Sequence, residues 1–367
     1  MKKTLIALAA LAAAGATLAQ SSVTIYGRMD LGMSQHETTG TTVRDQFSLA
    51  GAQNEWTGSR LGFRGTEDLG GGLRAGFVYE FGINADNSAS SAVGATRLAN
   101  LSLSGGFGTV VVGTFLNSFD TAREFIPGSG SIPGGRATMF EAEALTERFD
   151  SRTENAIVYV SPAFNGFTFS AGFVNNSDEI RTLAGAPAAG GFDYTGMILG
   201  VAFTQGPLRA QFAYGNLDIG FHTGIPGAGT LAAPLNTDVT NWALGLSYDF
   251  GPAVVSFLYE DSSRDMVNAP GGTALEGVDR NAWQIGARFP MGAFAPYVTF
   301  GGGERTRIAT TGDRTTDDIN TWQIGTTYNL SARTWVYAGI GEAQRETAAG
   351  QNVREDTGYS IGIVHTF

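Results

Sequence analysis

The chain has 367 residues, with 23 Lys and Arg against 34 Asp and Glu, 52 Gly, 24 Phe and no Cys. Charged residues make up 16% and hydrophobic residues 43%, too few charges for an average soluble domain and too much apolar side chain for a disordered one. The lack of Cys excludes disulfide frameworks, thiolate metal sites and Cys nucleophiles, and a formal net charge of −11 offers no basic face to nucleic acid.

Lys2 and Lys3 precede an apolar run from Leu5 to Leu18 that ends Thr17-Leu18-Ala19. This order of charge, apolar stretch and small residues reads as a secretory signal, residues 1–19, cleaved before Gln20. Nothing after it reaches the 18 or more apolar residues of a transmembrane helix. Residues 20–367 are therefore expected to be exported without a helical anchor. Both lysines fall in the signal, so every later basic side chain is Arg, which keeps its charge and offers a planar fork of donors.

From Gln20 onward the apolar residues recur with period two, the strand period. Val23, Ile25, Met29, Leu31 and Met33 alternate with Thr24, Tyr26, Arg28, Asp30 and Ser34. Leu73, Ala75, Phe77, Tyr79, Phe81 and Ile83 then stand opposite Arg74, Gly76, Val78, Glu80 and Gly82, and Leu208, Ala210, Phe212 and Tyr214 opposite Arg209, Gln211 and Ala213. The pattern returns at Trp242–Phe250, Trp283–Phe289 and Trp322–Leu330, and ends on Tyr359, Ile361, Ile363 and Phe367.

The connections alternate too. Short turns at 67–72, 105–108, 162–166, 205–207, 250–252, 290–292 and 331–333 separate longer polar stretches near 35–54, 84–96, 116–151, 175–192, 216–240, 262–279, 304–319 and 344–355. These connections delimit sixteen strands at roughly 22 residues each, which suits tilted membrane strands of about ten residues with their turns and loops. Period two alone also fits a soluble β-sandwich, but a sandwich needs a dry inner face, and here the face opposite the apolar one carries Arg and Glu. The expected fold is all-β: a transmembrane antiparallel up-and-down barrel with lipid outside and water inside. Tyr26, Trp56, Tyr79, Trp242, Tyr248, Trp283, Trp322, Tyr328, Trp335 and Tyr337 are expected to form interfacial girdles.

In a pore the chemistry is an electric field across a narrow wet opening. Side-chain parity sends Arg28, Arg60, Arg64, Arg74, Arg209, Arg280, Arg288 and Glu80 to the lumen. Arg28 and Arg60 sit at mid-depth on the first hairpin, Arg64, Arg74, Arg209 and Arg288 toward the short turns, and Arg280 near the loop end. Lumen-side Gly62, Gly76, Gly82, Gly196, Gly200, Gly286 and Gly325 would make room for an inserted loop.

The segment Ser59-Arg60-Leu61-Gly62-Phe63-Arg64-Gly65-Thr66-Glu67-Asp68-Leu69-Gly70 resembles the second-strand signature of Gram-negative general-diffusion porins, in their β-proteobacterial, neisserial-type branch. Gly106-Phe107-Gly108-Thr109-Val110, the run from Arg152 to Pro162, Gly166-Phe167 and the ending Gly362-Ile363-Val364-His365-Thr366-Phe367 are similar to that family as well. The resemblance implies a sixteen-stranded homotrimer whose third external loop, here 116–151, folds into the lumen. It also implies a basic wall cluster at Arg60, Arg97 and Arg152, joined by Arg28 on parity. A regular strand would put Arg97 on the lipid face with Ala99, Leu101 and Leu103, so it reaches the lumen only through a bulge or a late strand start.

The loop facing that wall carries Asp120, Glu124, Glu141, Glu143, Glu147 and Asp150 against Arg123, Arg136 and Arg148. Acid on the loop and Arg on the wall set up a transverse field. Tyr359, Ile361, Ile363 and Phe367 resemble the signal read by the barrel-assembly machinery, and the last strand must pair with Val23–Met33, because an open edge in hydrocarbon leaves backbone groups unsatisfied.

The expected function is passive passage of small hydrophilic solutes and ions, with a weak anion preference. Lipid and lipopolysaccharide are the expected surroundings. A channel selective for an organic acid or other small anion is the alternative. An outer-membrane enzyme is a weaker one, because His36, His222 and His365 have no nucleophile motif beside them. No cofactor is expected beyond weak Ca²⁺ binding at acidic external positions such as Asp261, Asp265, Glu276 and Asp279, or Asp313, Asp317 and Asp318.

Overall fold

A computed structural model describes residues 22–40, 44–49, 57–84, 93–128, 132, 152–176, 181–182, 191–221, 235–265, 267–268, 274–275, 277–309, 311–347 and 352–367. Sixteen antiparallel strands form the wall: β1 (Ser22–Gly40), β2 (Arg60–Gly70), β3 (Leu73–Ile83), β4 (Val93–Gly105), β5 (Gly108–Phe115), β6 (Thr153–Val160), β7 (Phe167–Asn175), β8 (Gly191–Gln205), β9 (Leu208–Phe221), β10 (Leu235–Asp249), β11 (Val254–Arg264), β12 (Gly277–Arg288), β13 (Phe294–Ile308), β14 (Arg314–Asn329), β15 (Thr334–Thr347) and β16 (Asn352–Thr366). Arg44–Leu49 folds back onto β1, Arg181–Thr182 pairs with β8, and Val267–Asn268 pairs with Ala274–Leu275.

Each wall strand pairs with its sequence neighbour, and the sheet closes on itself. Ser22–Arg28 of β1 pairs with β2, while Arg28–Gly40 of the same strand pairs with Arg354–Thr366 of β16. The backbone thereby satisfies itself, the condition for any sheet that crosses a bilayer. Short turns meet their own chemistry: Asn165 and Gly166 take φ 48° and 86°, the double positive φ that a tight hairpin turn requires.

The polarity of the two faces rules out a sandwich. Outward stand Leu101, Ile25, Phe173, Phe300 and Ile324, each more than half exposed. Inward stand Asp30, Gln211, Ser256, Gln284, Thr299, Gln323 and Ser360, nearly all their surface covered. A continuous outward apolar belt is unstable in water and at home in lipid. Tyr359, Ile361, Ile363 and Phe367 lie on this belt.

Two aromatic positions depart from the girdle reading. Tyr26 lies under the guanidinium of Arg64, 5.1 Å from ring centre to Cζ, and Tyr337 is 2% exposed and donates its hydroxyl to Asp30 Oδ1 at 3.0 Å. Both face the lumen, where a charged partner outweighs an interfacial position. Trp56 lies outside the described residues.

The strands also run further at their loop ends than apolar alternation indicates. The stretches read as loops at 304–319 and 344–355 are strand up to Ile308 and from Arg314, and up to Thr347 and from Asn352. Beyond the hydrocarbon both faces of a strand are wet, so alternation of apolar with polar residues stops while the ladder continues.

Candidate pore constriction

After β5 the chain turns into the barrel. Asn117 starts a one-and-a-half-turn helix, α1 (Ser118–Arg123), through a reciprocal cap: Asn117 Oδ1 accepts from the backbone N–H of Phe119 at 2.9 Å and Asp120 at 3.1 Å, and the Asp120 carboxylate accepts from Asn117 N at 3.3 Å. Such a box satisfies donors that a helix start otherwise leaves open. Asp120, expected to supply field, is thus also a structural cap.

The helix is held by burial and one ion pair. Phe119, Ala122 and Ile126 pack on Ala213, Leu217, Ile219, Val239, Ala243 and Leu258, the apolar part of the inner wall on β9–β11. Arg123 Nε and Nη2 bond Glu260 Oε1 and Oε2 at 2.5 and 2.7 Å, with the two side chains 2% and 6% exposed. This is the bidentate fork that makes Arg suited to a buried carboxylate.

Glycines let the segment lie flat on the wall. A Cβ on Gly200 would collide with Ser118, on Gly245 would stand 2.9 Å from the Ala122 carbonyl, on Gly286 2.6 Å from Pro127 Cδ, and on Gly339 2.8 Å from Ile132 Cδ1. Gly200 and Gly286 therefore act as expected, and Gly245 and Gly339 join them. Gly62, Gly196 and Gly325 instead accommodate Tyr26, Leu217 and Tyr297 of the wall itself, Gly76 meets the Ser102 hydroxyl, and Gly82 has only backbone at van der Waals distance. Gln323 Nε2 donates to the Ile132 carbonyl at 3.1 Å. Residues 116–128 and Ile132 thus cross the lumen from β5 toward β15. The rest of 116–151, with Glu141, Glu143 and Glu147, lies outside the described residues.

On the wall formed by β1–β4 the basic residues gather. Arg28 and Arg60 are directly opposed across β1 and β2. Arg60 donates to the carbonyls of Thr57 and Gly58 and stands 3.7 Å from Glu80 Oε1. Arg97 Nε meets the same oxygen at 2.7 Å.

Arg97 reaches Glu80 because the strand is irregular there. Glu80 pairs with Leu98 and Phe81 with Thr96, so Arg97 is the extra residue of a bulge, and a bulge turns one side chain against the strand's parity. Regular alternation, which sent Arg97 to lipid, fails at this point, and the family resemblance holds. Arg152, just before β6, contributes with Arg28 and Arg97 to the positive potential at Arg60, which Glu80 opposes. Across the lumen, Glu124 at the end of α1 is exposed and acts electrostatically on Arg28.

Asp30 was not singled out from sequence, yet it organises this wall. Its carboxylate accepts from Thr57 N at 2.7 Å, Thr57 Oγ1 at 3.1 Å and Tyr337, while its backbone exchanges bonds with Ser59 Oγ at 2.9 and 3.1 Å. By holding Thr57 and Ser59 it fixes the turn whose Thr57 and Gly58 carbonyls position Arg60. An inward Asp beside Arg28 on the first strand was the available signal.

Four further arginines line the lumen toward the turn end. Arg209 covers the Phe125 ring at 4.6 Å, Arg288 donates to Thr327 Oγ1 at 3.2 Å, Arg64 sits over Tyr26, and Arg74 is exposed. Of the acidic groups expected to bind Ca²⁺ weakly, Asp317 is fully buried against Arg307 and Arg345, and Glu276 lies outside the described residues. Among the described residues no three potential ligands come together.

A closed barrel with an apolar exterior, a polar interior and a loop folded across that interior defines a transmembrane channel of the outer-membrane type. The chain belongs to the Gram-negative porin family, whose model matches residues 4–348. It is 34% identical to outer membrane porin protein 32 of Delftia acidovorans and 24% identical to the major outer membrane protein P.IB of Neisseria lactamica, each over the full length of both chains. Among solved structures it is similar to an anion-selective porin from Comamonas acidovorans, with 26% identity, a TM-score of 0.69 and coverage of 95% of this chain and all of that one. The protein is an outer-membrane porin.

Proposed function

We propose that the pore passes small hydrophilic solutes by general, passive diffusion and favours anions, and that Arg28, Arg60, Arg97 and Arg152 set this preference. One observation carries the reading. Arg60 and Arg97 share a single oxygen of Glu80, and Arg28 stands directly opposite Arg60, so guanidinium groups crowd this wall at mid-depth. Fixed charge in a narrow opening selects ions by sign. The similarity to a porin described as anion-selective supports the same sign.

Glu124, and Glu141, Glu143 and Glu147 further along the inner loop, provide the opposing side of a transverse field. Arg64, Arg74, Arg209 and Arg288 extend the positive lining toward the turn end. The protein acts as a channel and not as an enzyme, needs no cofactor, and works as a homotrimer in lipid and lipopolysaccharide. It is exported by cleavage before Gln20 and inserted after the assembly machinery reads Tyr359, Ile361, Ile363 and Phe367.

The test is planar-bilayer conductance under a KCl gradient. Openings in groups of three with a reversal potential favouring chloride, moved toward potassium by Arg60→Ser, are the expected result. A cation-favouring native potential would overturn the charge assignment, and a silent membrane would overturn the diffusion pore.

A further inference from the structure

Beneath the first turn of α1 the inner wall holds a recess that the constriction does not use. Its volume is about 280 Å³, and it lies against β5–β9, reaching Val160 and Thr168 beside the 162–166 turn. Strand register sets its wall. Ala156, Val158 and Val160 of β6 stand opposite Val174, Gly172 and Ser170 of β7, and across the other edge of β7 stand Ile198 and Ala202 of β8. Ala202 in turn faces Gln211 of β9. Among the described residues no charged side chain lines the recess, in contrast to the wall of Arg28, Arg60 and Glu80.

The recess is preformed. Ser118 Oγ lies 3.2 Å from Ser170 Oγ, and Asn117 Nδ2 donates to Thr153 Oγ1 at 3.4 Å, so the polar groups along its loop edge engage one another and fasten the loop over it. Thr153, Ala156, Val174 and Ile198 are buried at its inner end, while Val158, Val160, Thr168 and Ala202 are half-buried toward the turns. Apolar side chains left facing a water channel mark a ligand groove. A hollow of this size with a few polar groups at its edge is at the small end of small-molecule sites, which run from about 300 to 1,000 Å³.

Arg209 adds a charge beside it. On β9 it is two residues from Gln211 and on the same face, about 7 Å along the strand, and it stands opposite Thr204 just past the Ala202–Gln211 pair. The side chain is exposed, with its guanidinium over the Phe125 ring at 4.6 Å. Stacking on a ring holds the cation in place and leaves it a planar fork of N–H donors for a carboxylate.

We infer that this recess binds amphipathic monocarboxylates, with a small apolar body such as one aromatic ring against Val158, Val160 and Ile198 and the carboxylate on Arg209. The inference deepens the porin reading, on which it rests, by naming a solute class, and it is independent of the sign assigned to the constriction. Inorganic ions have no apolar surface to place there.

The experiment uses the full mature protein and 4-fluorobenzoate as the probe, read as block of chloride current in planar bilayers and as fluorine NMR line broadening by the barrel in detergent. The half-blocking concentration is expected about tenfold below that of acetate, the low end for burying an aromatic ring. Ala202→Leu, which fills the recess without changing charge, should remove both this advantage and the broadening, with the KCl reversal potential unchanged. Arg209→Gln should raise the half-blocking concentration about tenfold, as for a lost charge-assisted hydrogen bond, while the weaker binding of neutral 4-fluorobenzyl alcohol stays the same.

Val158→Thr keeps the side-chain shape and exchanges one methyl for a hydroxyl. It should raise the half-blocking concentration about fourfold and carries the test alone if Ala202→Leu does not assemble. A native barrel that leaves the probe's signal sharp, a probe no more potent than acetate, or binding that survives the recess variants overturns the inference, as does binding indifferent to Arg209→Gln. A silent membrane with Ala202-dependent broadening would overturn the diffusion pore and uphold the recess.

Discussion

The lumen has two unlike sides. On β8–β12 the wall is small and apolar, covered by α1 and closed by the buried Arg123–Glu260 pair. On β1–β4 it is crowded with guanidinium groups, two of which, Arg60 and Arg97, share one oxygen of Glu80. The first side is built as a protein interior, where Arg123 is matched by Glu260 beside an apolar cluster. The second is built as a charged wall, with the Arg60 and Arg97 side chains 19% and 22% exposed to the lumen. Pore width is thus a packing property and pore charge an electrostatic one, and separate residues control them.

Breaking the packed side should have the largest effect. Glu260→Gln leaves Arg123 buried without its counter-charge, a loss of about 3–5 kcal/mol in comparable cases. The loop should detach, giving noisier and larger unitary conductance, while the assembled barrel still resists denaturation on gels. Replacing both residues, as Arg123→Met with Glu260→Leu, should restore quiet channels, because a well-packed apolar pair costs little.

Glu80→Gln tests the charged side. Removing the acid that Arg60 and Arg97 share should cost about 1–3 kcal/mol as a charged hydrogen-bond acceptor, read as a lower melting temperature. It should also move the reversal potential further toward chloride. A shift toward potassium would show that the wall cluster does not control selectivity.

A smaller effect is expected from Asn117→Ala, which removes the cap of α1 at about 1 kcal/mol. Conductance noise should rise slightly with selectivity intact. The smallest perturbation is salt. Raising KCl from 0.1 to 1 M shortens the Debye length from about 10 to about 3 Å, so anion preference should fall while the noise set by the buried Arg123–Glu260 pair stays the same.

Much of this was legible along the chain. Arg28, Arg60 and Glu80 face inward by simple alternation, and the outward run Tyr359, Ile361, Ile363 and Phe367 was readable for the same reason. Arg97 was not readable from alternation, because it is itself the unpaired residue of a bulge between the Glu80–Leu98 and Phe81–Thr96 pairs. Arg305, Arg307, Arg345 and Arg354 were hidden in stretches read as loops, since a strand wet on both faces loses the contrast on which period two depends. Tyr337 misled in the other direction, as an aromatic side chain carries no mark of its face when a polar partner waits inside, whereas alternation already put Tyr26 on the lumen side.

What the sequence determined by itself was local and periodic: strands, turns, the polarity of each face, and therefore a barrel that needs lipid. Which strand positions meet was decided only by tertiary structure. Arg123 finds Glu260 across 137 positions, and Tyr337 finds Asp30 across 307. Such pairs follow from barrel closure and register, which are properties of the whole sheet, and no short stretch of chain encodes them alone.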